Sequence, residues 1–471
     1  MLPYREEIRA YVAAHRSEIL EMLKELVRIP SVRGDASDGA PFGADCARVL
    51  HRVESLYSKF GIETELNSDG GYLLSYLGEG ERTLGIFSHA DVVPTGEGWT
   101  LTEPFEPKEI DGFLVGRGVM DDKAAVIASL FVARMIKELD IPLSSKLVLF
   151  TGSAEERGMG DIKNYLKTHT PPDFALVPDT CFPLYRGNKG RLLIRFYRSR
   201  GITGLKAISG GKSGTNVGEA VAKLDFDEAL FSSIKKNEDD QISVNAENGE
   251  IMITAKGLPK HTALPEGSIN AASLIFDLLL RCDLVPMEEG ALLEFLKDVT
   301  SDYYGKCIGI DKVDPDFGNL TFVNYTVNIG DDSSELFFNV RFGASVDIKE
   351  TKQKIIDNFS QFGFVTEFLD ESVPHIVPKD HPMLLSLMST FAEFTGKTDG
   401  KMYVNAGGTY AQFLPCAAEI GVTTKGGRPE GMPSGHGAVH QPDECISIEG
   451  FLKAIELTAH MILECDKELN K

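Results

Sequence analysis

The chain has 471 residues, with 70 acidic against 48 basic side chains and a formal charge of −22 at pH 7. That length asks for two or three domains, and the acidity excludes nucleic acid and anionic membranes as partners. Seven scattered cysteines without a CxxC pair exclude a disulfide framework and a cysteine zinc site.

In chain order, apolar residues at helical spacing run from Arg5 to Ile29 and stop at Pro30, which predicts one helix or two abutting helices. This N-terminal stretch lacks a signal-peptide apolar region. No later run is long enough to span a bilayer, so a cytoplasmic enzyme or binding protein is the starting class. A second helix is expected over Ala44–Phe60, closed by Gly61, then strands over Ile62–Leu66 and Tyr72–Leu77. The apolar run Leu84–Phe87 reads as a buried strand that delivers His89 and Asp91 at its C-terminal end. Two apart on a strand, these share a side. They read equally as a ligand with its orienting acid or as a buried His beside an acid.

Asp121-Asp122-Lys123 opens a helix over Ala124–Leu139, as an acidic N-terminus predicts. The strand Lys146–Phe150 leads into Glu155 and Glu156. A short helix is expected over Asp161–Thr168, and the strand Phe174–Val177 leads into Asp179. This alternation predicts an α/β domain whose mainly parallel, mixed sheet is covered by helices. After Gly187 the pattern turns α+β. Strands are expected over Arg191–Arg198, Ile251–Gly257, Phe322–Ile329, Glu335–Phe342 and Val365–Leu369, with helices over Val217–Leu224, Asn270–Leu280 and Ile348–Phe359. Helices over Met383–Thr395 and Ser447–Cys465 then flank a Gly/Pro/His loop carrying His436 and His440. The expected organisation is a first domain over 1–186 and 381–471, interrupted by an inserted domain over 187–380.

Each chemical signal is weak alone: an Asp at a helix start is usually a cap, and paired Glu usually face solvent. Placed together at strand C-termini of one sheet, they would converge on one rim. Two His and several carboxylates without Cys suit zinc, manganese or cobalt better than copper or iron–sulfur. The acids outnumber the needs of one zinc, and a carboxylate bridging two metals would use them. Two other motifs fail. Gly210-Gly211-Lys212-Ser213 has Lys206 where a phosphate loop needs its first Gly, and the GRG of 116–118 is too short for a dinucleotide fingerprint.

In order, SHADVVPTGEGW, GRGVMDDKAA, TGSAEERG, VPDT and HQPDE resemble the dinuclear aminoacylase, carboxypeptidase and dipeptidase metallopeptidase superfamily, and within it the carnosinase-like Xaa-His dipeptidases. The resemblance spans nearly the whole chain. It implies an α/β catalytic domain interrupted by an α+β lid domain, and two divalent metal ions per chain, zinc ahead of manganese. Asp121 would bridge the metals, His89 and Asp179 would complete one site, and Glu156 and His440 the other. Glu155 would be the general base, and Asp91 would orient His89. In the insert, His261 would stabilise the oxyanion, Arg341 would grip the substrate carboxylate, and Asn216 would assist there. Gly407 and Gly408, read from glycine's lack of a side chain, would let the backbone approach the substrate or simply form a turn. The implied activity is hydrolysis of short unblocked peptides by a monomer. An N-acyl amino acid deacylase or desuccinylase on the same scaffold, and a non-catalytic metal-binding protein, stay open as alternatives.

Overall fold

The computed structural model describes residues 2–212 and 214–471; Ser213, in the rejected phosphate-loop motif, lies outside them. The chain divides into two compact units. One comprises the segments up to Gly187 and from Ile376 onward, the other runs from Asn188 to His375.

The first unit is built on a mixed sheet. Its strands follow the order Glu63–Asn67, Tyr72–Leu77, Lys146–Gly152, Thr83–His89, Phe174–Thr180, Ala417–Gly421, Leu184–Asn188 and His375–Ile376, with Met402–Asn405 beside Leu184–Asn188. The four strands from Lys146–Gly152 to Ala417–Gly421 run parallel, and antiparallel strands extend them on either side. Parallel strands need both faces covered, and their sequences are correspondingly apolar throughout. Leu84, Ile86 and Phe87 are all buried, each contributing roughly 1.5–3 kcal/mol. The helix Lys123–Glu138 is buried along nearly its whole length, and Ile448–Leu469 packs beside it in the same core. The N-terminal stretch forms two helices, Arg5–Ala14 and Arg16–Val27.

The second unit holds an antiparallel sheet ordered Ile242–Glu247, Glu250–Lys256, Glu219–Asp225, Ala207–Gly211, Thr321–Ile329, Ser334–Phe342, Gly190–Arg198 and Val365–Ser372. Helices Ala271–Arg281, Met287–Ser301 and Ile348–Ser360 supply Phe276, Leu293 and Phe359 to its core. The helix expected over Val217–Leu224 is instead the strand Glu219–Asp225, paired on both sides. Ala220, Ala222 and Leu224 alternate buried with more exposed neighbours. Val217, Ala220, Val221 and Leu224 also fit a helical stripe, and the sheet context decides between the two periods.

All seven cysteines are free. Among the described residues no helix is long and apolar enough to cross a membrane.

Candidate metal centre

Three parallel neighbours carry acids or His at their C-terminal ends, where such sheets place their sites. Thr83–His89 ends in His89 and continues to Asp91, Lys146–Gly152 leads to Glu155 and Glu156, and Phe174–Thr180 holds Asp179. Asp121 and Asp122 stand at the start of the helix Lys123–Glu138, joined by a cis peptide bond. His440 comes from the C-terminal loop, in the left-handed backbone region with φ of 64°.

These segments meet. His89 Nε2 lies 3.2 Å from Asp121 Oδ1 and 3.9 Å from Asp179 Oδ2. His440 Nε2 lies 3.0 Å from Asp121 Oδ2 and 3.2 Å from Glu156 Oε2. Two groups of ligand-capable atoms result, His89/Asp121/Asp179 and Asp121/Glu156/His440, each within 4.8 Å and sharing Asp121. The Glu155 carboxyl stands beside them, 4.0 Å from His89 Nε2.

The electrostatics are those of acids crowded out of water. Burial pushes the Glu155 and Asp179 carboxyls well above the ordinary range; neighbouring acids add to this and His89 opposes it. Burial raises Glu156 too, with Asp121 adding. Asp121 goes the other way: burial resists, but hydrogen bonds from His440 and His89 hold it low. Burial disfavours the His440 imidazolium, yet Asp121 and Glu156 carry it up to about 11. Among the described residues, the ion-pair partners of these four carboxyls are histidines, not Lys or Arg. Glu156 Oε1 and Asp122 Oδ1 are buried with no hydrogen-bond partner among those residues. Four carboxyls without a permanent cation, one with an orphaned buried oxygen, fit a pair of divalent ions, whose charge would offset theirs.

A further set of buried carboxylates holds the loops that carry these groups. Asp91 contacts His89 Nδ1 chiefly through its backbone oxygen, at 3.1 Å. Its carboxylate accepts the amides of Glu155 and Glu156, each at 3.1 Å. Glu444 accepts the amides of Gly118, Met120 and Asp121, and pairs with the buried Arg117 at 2.7 Å. Asp443 receives the amides of Thr100 and Leu101 and stands 2.7 Å from His436 Nδ1. His436 thus sits beside an acid and outside both ligand groups. Glu419, buried, accepts from Asn405 and Thr409. Sequence reasoning assigned no role to Arg117, Glu419, Asp443 or Glu444; the signals were the positions of Arg117 in GRGVMDDKAA and of Asp443 and Glu444 in HQPDE, three and four residues after His440. Neither Gly407 nor Gly408 has positive φ, and a Cβ at Gly408 would meet the end of the Gln412 side chain.

Asn216, His261 and Arg341 belong to the second unit. His261 is exposed on the loop between Leu258 and Ile269, whose ends are bridged. Both ends of the Asn216 amide are engaged by that loop. Its Nδ2 donates to Ile269 O at 2.9 Å and its Oδ1 accepts from Lys260 N at 2.7 Å. Arg341 is buried, and its Nε donates to Asn339 at 3.1 Å. Burial, then Arg191, lower its pKa to about 10, while Asp370 pairs with Arg191.

The chain is 29% identical over 475 residues to YtjP of Bacillus subtilis (strain 168), covering 97% of this chain and 99% of that one. It is 28% identical over 476 residues to a Beta-Ala-Xaa dipeptidase of Lactobacillus delbrueckii subsp. lactis, covering 97% of each. Human carnosine dipeptidase 1 shares the fold, with a TM-score of 0.61 at 14% identity over 98% of this chain and 99% of that one. The model described as Peptidase family M20/M25/M40 matches residues 85–464, a span that begins in the strand bearing His89 and passes His440. A sheet rim that gathers two ligand groups around one shared aspartate is therefore matched by sequence along most of its length, and the chain belongs to peptidase family M20/M25/M40.

Proposed function

We propose that the protein is a metal-dependent dipeptidase that hydrolyses the peptide bond of short, unblocked peptides. The observation that carries this reading is the pair of ligand groups sharing Asp121, with the buried Glu155 carboxyl beside them. His89, Asp121 and Asp179 would hold one divalent ion, and Asp121, Glu156 and His440 a second; zinc is the first candidate and manganese the next. Such ions supply Lewis acidity toward a water and toward a peptide carbonyl.

The protein's own groups do the rest. Glu155 takes the proton of the attacking water and returns it to the leaving amine, a role suited to a carboxyl whose pKa burial has raised. Its neighbour Glu156 serves as a ligand because Asp91 fixes both amides and so the direction of each side chain. Arg341 binds the substrate carboxylate. Among the described residues this buried guanidinium has one side-chain hydrogen bond, to a neutral partner, which leaves its charge for an anion. His261 donates to the carbonyl oxygen as charge develops there, and Asn216 contributes by holding the His261 loop. The enzyme works as a cytoplasmic monomer in this reading. Relatives named as dipeptidases over nearly their full length support the substrate class.

The test is turnover of a panel of free dipeptides and of N-acyl amino acids with added zinc or manganese, alongside metal stoichiometry. Cleavage of dipeptides with two ions per chain is expected, and a Glu155→Gln variant should lose roughly 10²–10⁴-fold in turnover. Cleavage of acylated substrates alone would overturn the reading.

A further inference from the structure

We infer that Asp161 and Tyr410 form a positioning pair that fixes the backbone of Ser153–Glu156, and with it the aim of Glu155 and Glu156. This rests on the reading of Glu155 as the base. Four consecutive amides end on two buried carboxylates. Asp161 Oδ2 accepts from Ser153 N and Ala154 N, both at 2.7 Å. Asp91 takes the next two, Glu155 N and Glu156 N. The Asp161 carboxylate is anchored on its other side by Ile162 N at 2.8 Å. Its remaining partner is the Tyr410 hydroxyl, 2.5 Å from the same Oδ2 and 249 residues away in sequence.

Two further observations set this pair apart from ordinary packing. The strand leading into the segment ends in Gly152, and a Cβ there would collide with the Tyr410 hydroxyl and with Asp161 Oδ2, so the strand end is shaped around the pair. The Tyr410 ring also stands edge-on to Phe150 at 5.3 Å and to His89 at 6.3 Å. One side chain thus abuts two of the three strands that deliver the site. Removing only its hydroxyl keeps the ring packing and leaves Asp161 held by backbone amides alone.

The test uses the full chain and two variants, Tyr410→Phe and Asp161→Asn, each made beside Glu155→Gln. In the metal-free protein, amide hydrogen exchange read by mass spectrometry on the peptide spanning residues 153–156 is expected to accelerate roughly tenfold in either variant. Exchange elsewhere in the unit should stay unchanged. With dipeptide and added metal, kcat is expected to fall roughly ten- to a hundredfold while KM stays within about twofold. Unchanged exchange at those amides in Tyr410→Phe overturns the inference, as does loss of protection spread evenly over the unit. If Tyr410→Phe does not fold, the same readout on Asp161→Asn decides. Glu155→Gln separates the two ideas. If it is inert while Tyr410→Phe keeps wild-type kcat, the positioning pair is wrong and the base stands. If it retains turnover, the base is wrong, and the exchange data alone judge whether the pair holds the segment.

Discussion

Replacing Glu444 with Gln removes one charge from a fully enclosed ion pair of the first unit. Both side chains are 1% exposed and the Arg117–Glu444 contact is 2.7 Å. The same carboxylate accepts three backbone amides, of Gly118, Met120 and Asp121. A Gln amide keeps the shape, but its NH₂ must face either Arg117 and Gly118 or Met120 and Asp121, all of them donors. Arg117 is left buried without its counter-charge, and breaking a buried pair in this way costs about 3–5 kcal/mol. For a unit of roughly 280 residues the unfolding entropy is about 0.6 kcal/mol/K, so a loss of about 4 kcal/mol lowers Tm by about 7 °C. Calorimetry on the full chain measures this, and metal titration reads the accompanying loosening of the Asp121 loop. Adding Arg117→Met should recover part of the loss, since an apolar replacement of a buried pair is often neutral. A Tm drop below about 2 °C in Glu444→Gln would refute the argument that this pair anchors the loop.

Three other outcomes are expected. Chelation should abolish turnover and lower Tm by several degrees, with zinc or manganese restoring both, because ligand-stabilised folding at about 1,000 Kd is worth about 4 kcal/mol; a chelated protein with unchanged Tm and activity would contradict the metal centre. His460 is buried, with neither ring nitrogen partnered among the described residues, and burial followed by Arg5 pushes its pKa down to about 4. The unfolded chain takes up a proton near pH 6.5 that the folded one refuses. Stability is therefore full above pH 6.5 and falls as pH drops toward 4, by on the order of 2 kcal/mol. His460→Leu should flatten that slope in urea denaturation at pH 5 and 8, and an unchanged slope would count against the assignment. Asn216→Ala, which deletes two hydrogen bonds to the 258–269 loop, should cost about 1–3 kcal/mol locally and speed tryptic cleavage after the exposed Lys260; equal cleavage rates would show that the loop holds itself.

The apolar strand Leu84–Phe87, the buried helix Lys123–Glu138 and the acids at strand ends were legible because each is a local pattern of apolar runs and periods; the cap expected at that helix start is absent, since the Asp122 carboxylate accepts from His89 N and makes no cap hydrogen bond. The strand Glu219–Asp225 was not, since Ala, Lys and Leu are good helix formers and only its two partner strands decide its state. The helix Met287–Ser301 went unassigned in a stretch opened by Pro286 and two acids. Asp161 read as an ordinary helix start, and Glu444 was assigned no role within HQPDE. Their work is to receive amides, and their partners Tyr410 and Asp121 lie 249 and 323 residues away, beyond any local pattern.

The same sequence distance has a consequence during synthesis. Asp121 leaves the ribosome long before Glu444 and His440, and the whole insert is made in between. At about 5–20 residues per second, the wait is roughly 15–65 s. Through that interval the Asp121 loop lacks the carboxylate that receives its amides, and the second ligand group lacks its histidine. A nascent chain stalled inside the insert therefore carries half a centre, while the insert's own antiparallel sheet is free to fold as it emerges. In the arrangement proposed, the second ligand group is completed only once the C-terminal segment has been made.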